Sequence, residues 1–127
     1  PPVDGNTNPH RARAHTDINL ITLLIGAEEG GLEVLNKDGS WIKVKPSSNA
    51  IVCNIGDMMQ LVTDKNLVST THRVIQDVEA KSKPRYSIPF FLHPAPSVLL
   101  KSVFNEDDKG VLADDFLDER LKAIKLY

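Results

Sequence analysis

Between residues 18 and 92 the chain never stays apolar for long. INLITLLI (18–25), LEVL (32–35), WIKV (41–44), AIVCNI (50–55), LVSTTHRVIQ (67–76) and RYSIPFFL (85–92) are rich in β-branched or aromatic residues, and each is closed by a polar stretch holding Gly, Pro, Asn or Asp. Runs this short, so regularly punctuated, suit strands better than packed helices. Asp38-Gly39, between LEVL and WIKV, is a strong hairpin signal. MMQLVT (58–63) fits either a helical turn or a strand, and residues 1–14, with their Pro, Asn, Gly and Arg, read as loop. Pro89 inside RYSIPFFL argues for an edge position or a bulge. The pattern changes at Ala113, where Phe116, Leu117, Leu121 and Ile124 approach helical spacing, with acids early and lysines late; one closing helix over about 113–126 is expected. The expected architecture is mainly β, a single domain over 1–127 built as an antiparallel sandwich or barrel with a helical appendage.

Charge excludes some function classes. The formal net charge is −2 with both signs interspersed, which provides no electrostatic footprint for nucleic acid or an anionic membrane surface. No apolar run is long enough to span a bilayer as a helix. Cys53 is the only cysteine, so an internal disulfide is impossible; it fits a reducing, cytoplasmic setting and reads as a small buried apolar residue in AIVCNIG.

Chemistry concentrates at a few positions. In extended chain, residues i and i+2 share a face, so His15 and Asp17 project an imidazole and a carboxylate toward one point. His72, in STTHRV, is the best candidate for a third ligand. Two histidines and a carboxylate on one side of a cation leave its other positions open, an arrangement suited to non-haem Fe(II). The same donors also suit zinc hydrolases. Arg85 and Ser87 repeat the i, i+2 spacing with a guanidinium and a hydroxyl, which together clasp a carboxylate.

HTDINLITLL, GLEVLNKDGSWIKV, VCNIGDMMQLVT, STTHRV and RYSIPFFLHP, in that order, resemble the C-terminal half of the isopenicillin N synthase-like family of iron(II)- and 2-oxoglutarate-dependent oxygenases. The likeness runs from Pro1 to about Pro96. It implies a double-stranded β-helix, or jelly-roll, with Fe(II) held by His15, Asp17 and His72, and with Arg85 and Ser87 pairing the far carboxylate of the cosubstrate 2-oxoglutarate. It also implies a small organic substrate, hydroxylated, desaturated or cyclised with O2 while the cosubstrate is decarboxylated to succinate and CO2. Some relatives keep the Arg-x-Ser pair yet bind substrate or ascorbate instead of 2-oxoglutarate. An iron oxidase of the same fold, or a non-catalytic jelly-roll fragment, therefore stands as the alternative. The opening Pro1-Pro2 corresponds to a point inside the family's jelly-roll, so the resemblance implies a fold incomplete at its N-terminus, completed by a preceding segment or a second chain, with weakened cosubstrate binding in the piece alone. Leu67 stands where the family frequently has an aromatic, which leaves the substrate class open.

Other residues have plainer readings. Asp57 is expected to form a turn, His10 to be solvated in a loop, and His93 to lie at the surface. Arg73, next to His72, should face the opposite way and make a structural salt bridge, with Trp41 packed under the hairpin. Asn19 and Leu24 line either a cavity or the core, and EDDK (106–109) reads as a solvated loop.

Overall fold

Strands joined by tight turns pair their backbone groups antiparallel, since a parallel pair needs a longer crossover. The fold obeys this: among the described residues every ladder is antiparallel. The computed structural model describes residues 10–25, 30–47, 49–76 and 85–124. Strands β1 (His10–His15), β3 (Leu32–Leu35), β4 (Trp41–Lys43) and β6 (His72–Ile75) make one sheet, in the order β1-β6-β3-β4. A second sheet joins β2 (Ile21–Ile25), β5 (Ile51–Ile55) and β7 (Ile88–Leu92) in the order β5-β2-β7, and β8 (Leu99–Leu100) pairs β9 (Val111–Leu112). Two helices, α1 (Asp57–Val62) and α2 (Ala113–Ala123), complete the description.

The two larger sheets face each other. Val34 and His72 from the first, and Val52 and Asn54 from the second, line one cavity of about 260 Å³. Leu24 pairs Val52 and Thr22 pairs Asn54, so alternation brings Thr22, Leu24, Val52 and Asn54 to one face. The other face of β5-β2-β7 carries Ile21, Leu23, Ile25, Ile51, Cys53, Ile55, Ile88, Phe90 and Leu92 in register. Much of that face is open: Ile51 is 60% and Ile88 66% exposed. Cys53 is therefore exposed rather than buried, because it alternates onto the open face of this sheet. Pro89 sits opposite Leu24 on β7, which pairs only with β2 among the described residues, so it lies at a sheet edge as its missing N–H requires.

Several expectations shift. Residues 10–15 are strand, not loop, because β6 supplies a partner along their length, with irregular register between Ala12 and His15. His10 is accordingly half-buried in β1. The strand expected over 18–25 starts at Ile21, because residues 17–20 turn to meet α1. Only His72–Ile75 of the 67–76 run is strand, and only Ile88–Leu92 of 85–92. MMQLVT resolves as helix, beginning at Asp57, which is thus a first-turn helical residue. The β8–β9 ladder went unread because two-residue strands carry no periodicity. The closing helix appears as Ala113–Ala123, with Phe116 and Leu117 packed on Met58, Leu100 and Ala113, while Ile124 is left 53% exposed. Residues 125–127 and Pro1-Pro2 lie outside the described residues.

The loop joining β8 to β9 is less plainly solvated than its charges imply. The carboxylate of Asp108 accepts the Ser102 N–H at 2.7 Å and the Gly110 N–H at 2.9 Å. The Ser102 bond first, then that of Gly110, holds its pKa below the usual carboxylate value. A lowered pKa stabilises the folded chain wherever the carboxyl is ionised, and that contribution is lost as pH falls through the folded value. Asp108→Asn should therefore melt earlier than the parent at neutral pH, with the gap closing below about pH 3.8. Parallel melting curves over a pH series check this; a gap independent of pH would assign the effect to packing.

Candidate metal centre

The pairing of β1 with β6 sets His15 directly opposite His72. Cross-strand partners lie side by side on one face, and the two rings stand 4.4 Å apart between centroids, tilted by 54°. Asp17 follows β1 by two residues. Its Oδ1 is 3.8 Å from His15 Nε2 and 3.6 Å from His72 Nε2. One donor atom from each residue lies within 4.8 Å of the others, and no other such group assembles among the described residues. Asp17 and His72 are buried, whereas the side chain of His15 is 47% exposed, so the cluster is approached from the His15 side.

Backbone carbonyls orient both rings. His15 Nδ1 lies 2.6 Å from the Arg13 carbonyl and His72 Nδ1 3.2 Å from that of Thr70. A carbonyl only accepts, so each neutral ring carries its proton on Nδ1 and turns the Nε2 lone pair toward Asp17. Two imidazole lone pairs and a carboxylate oxygen make the donor set a divalent metal requires, with the outer ring nitrogens tied as metal-bound histidines are. Ligands about 2.1 Å from a cation at right angles stand about 3 Å apart. The two Asp17–histidine distances, 3.8 and 3.6 Å, exceed that by less than about 1 Å, and the widest separation, within 4.8 Å, by less than about 2 Å, which side-chain rotation can supply. The residues fit a metal.

Asp17 is fixed from behind. Thr22 Oγ1 donates to Asp17 Oδ2 at 2.7 Å, and Asn19 Nδ2 donates to Thr22 Oγ1 at 3.2 Å. The backbone of the same turn is gripped by α1: the N–H groups of Gly56, Asp57 and Met58 donate to the carbonyls of Leu20, Asp17 and Ile18. These first amides of a helix have no partner within it, so the 17–20 turn serves as their cap. Asp57 then anchors α2, accepting from Arg120 Nη2 at 2.7 Å and from Thr16 Oγ1 at 3.2 Å. Sequence reading missed Thr22 and Arg120, since contacts made across a turn or 63 residues apart leave no local spacing signal. It left Asn19 between cavity and core; the residue is buried and hydrogen-bonded.

Arg85 and Ser87 do come together. Arg85 Nε donates to the Gly30 carbonyl at 2.8 Å, and Nη1 to Ser87 Oγ at 3.4 Å. Arg85 borders a small space with Leu24, Leu32, Val44 and Val52, and Val52 also lines the larger cavity beside His72. The Gly30 bond fixes the guanidinium plane between the sheets. Arg73, by contrast, points away as its place in the strand demands, bonding Glu33 at 2.7 Å and lying 3.9 Å over the Trp41 ring. His93 is exposed and outside the cluster.

A profile of the 2OG-Fe(II) oxygenase superfamily matches residues 1–94. Among curated proteins, a 2-oxoglutarate-dependent dioxygenase of Didymella fabae is 45% identical over 91 residues, covering 71% of this chain and 27% of that protein. Among solved structures, a 2OG-Fe(II) oxygenase family protein of Caulobacter crescentus superposes with a TM-score of 0.86 at 45% identity, covering 98% of this chain and 43% of that one. Neurospora crassa T7H in complex with alpha-KG superposes at 0.79 with 31% identity, covering 92% and 39%. The chain thus spans less than half the length of each. With its antiparallel jelly-roll sheets and a His-x-Asp…His cluster at one mouth, this chain belongs to the 2OG-Fe(II) oxygenase superfamily, a family that uses Fe(II) and 2-oxoglutarate.

Proposed function

We propose that this chain is the iron- and 2-oxoglutarate-binding part of a dioxygenase that hydroxylates, desaturates or cyclises a small organic molecule, with release of succinate and CO2. The convergence of His15, Asp17 and His72 carries the reading: three donors from two strands and a turn share one point, with both Nε2 lone pairs turned inward. These three would hold Fe(II), which when bound supplies the activation of dioxygen coupled to decarboxylation of the 2-oxo acid. The buried Asp17 carboxylate would offset part of the cation's charge, with the half-exposed His15 leaving one side of the site open to approach. Arg85, held flat by the Gly30 carbonyl, and Ser87 would receive the far carboxylate of 2-oxoglutarate. Val34 and Val52 would present an apolar wall to the cosubstrate in the cavity beside His72.

The open apolar face of β5-β2-β7 is where a further segment or a second chain would complete the sheet packing. An iron cofactor needing its reduced state, and an unpaired exposed thiol, fit a cytoplasmic setting.

Anaerobic titration with Fe(II), followed by succinate measurement with O2 and 2-oxoglutarate, tests the function. One equivalent of metal and succinate above background are expected; metal binding without any succinate would favour an oxidase that dispenses with 2-oxoglutarate or a non-catalytic fragment. Arg85→Gln should raise the 2-oxoglutarate concentration for half-maximal turnover by on the order of tenfold to a hundredfold, the worth of a charge-assisted pair, and leave metal affinity alone. An unchanged cosubstrate requirement would reassign Arg85 to holding the Gly30 loop.

A further inference from the structure

We infer that Thr22, backed by Asn19, is a positioning residue that selects which oxygen of Asp17 faces the two imidazoles; the inference rests on the metal-binding reading above. Thr22 has one proton and two acceptors in reach, Asp17 Oδ2 at 2.7 Å and Asn19 Oδ1 at 3.4 Å. The shorter, charge-assisted bond wins, so the hydroxyl proton goes to the carboxylate. Asn19 enforces that direction. Its Nδ2 donates both to the Ile21 carbonyl at 2.6 Å and to Thr22 Oγ1 at 3.2 Å, which fills the hydroxyl's accepting side.

The relay is sealed from water: Asn19 is 1% and Thr22 2% exposed. Burial this deep keeps bulk water from taking the place of a lost hydroxyl. With Oδ2 occupied, Oδ1 is the oxygen left facing His15 Nε2 and His72 Nε2. Asp17 is therefore presented as a one-oxygen ligand, at a torsion decided by Thr22 rather than by the cation. A carboxylate free to turn would offer both oxygens and occupy a second position on the metal, at the expense of the open side that the chemistry uses. Thr22 lies on β2, in the sheet opposite the histidines, so the relay also couples the two sheets at the mouth of the fold.

Calorimetric titration with Mn(II), comparing the parent chain with Thr22→Val and Thr22→Ser, tests the inference. Valine keeps the shape and removes the hydroxyl; serine keeps the hydroxyl and removes a methyl. The expected result is a Kd for Mn(II) raised tenfold to a hundredfold in Thr22→Val, the usual cost of losing a partner behind a ligand, with Thr22→Ser close to the parent. Thr22→Ala serves the same comparison if the valine variant does not fold. An unchanged Kd in Thr22→Val, with the parent binding one equivalent, overturns the positioning role and leaves the metal site standing. Equal weakening by valine and serine overturns it in favour of packing. A parent chain that binds no Mn(II) overturns the metal reading itself, and this inference with it.

Discussion

Alanine in place of His72 is expected to abolish stoichiometric Fe(II) binding and, with it, succinate release. His72 is the only member of the cluster held on both flanks, paired to His15 on β1 and to Val34 on β3. Its Nδ1 is tied to Thr70, so its Nε2 is aimed before any cation arrives. Removing it leaves one imidazole and one carboxylate, a pair common on protein surfaces without a metal. If a full protein site is worth on the order of 10 kcal/mol, one ligand in three accounts for about a few hundredfold in affinity. Anaerobic titration of His72→Ala beside His93→Ala checks the expectation. His93 is exposed and outside the cluster, so its variant should bind as the parent does. One equivalent retained at parental affinity in His72→Ala would sink the proposed site.

Gly56→Ala is expected to be the most damaging small substitution. A Cβ on Gly56 would stand 1.9 Å from the backbone carbonyl oxygen of Asn19, a contact that no side-chain rotation relieves. The strand-to-helix junction at Gly56 and the 17–20 turn would have to separate. Separation breaks the bonds from the Gly56, Asp57 and Met58 amides to Leu20, Asp17 and Ile18. Overpacking of this kind costs on the order of 3 kcal/mol, and here the displaced backbone carries Asp17, so metal affinity should fall along with the melting temperature. Gly39→Ala is the control. Nothing lies within 4 Å of a Cβ there, and its φ of +85° leaves only local strain, about 1 kcal/mol. Denaturant titrations of both variants, each with and without Mn(II), separate the cases. If Gly56→Ala binds metal as Gly39→Ala does, α1 does not set the position of Asp17.

The candidate site was legible to different depths. His15, Asp17 and His72 were readable because spacing within a strand and the order of motifs along the chain are properties of sequence, and they do meet. Arg85 and Ser87 were readable for the same reason and lie in contact. Arg73's opposite orientation followed from alternation alone, and Glu33 and Trp41 are its partners. By contrast, the reading of residues 1–14 as loop failed at 10–15, because HRARAH has no apolar alternation and becomes strand only through its ladder with β6. Cys53 was misread because apolar character marks a strand without saying which of its faces is covered.

By itself, the sequence determined what depends on near neighbours: short strands, where they stop, the Asp38-Gly39 hairpin, the closing helix, and which side chains share a strand face. Only the tertiary structure decided what depends on chain segments meeting. The register that sets His15 against His72, the grip of α1 on the 17–20 turn, and the Asn19–Thr22–Asp17 relay are of that kind. The physical reason is the range of the forces. Steric preference and side-chain periodicity act over a few residues, whereas a hydrogen bond or a shared cation binds whatever the fold brings within about 3 Å.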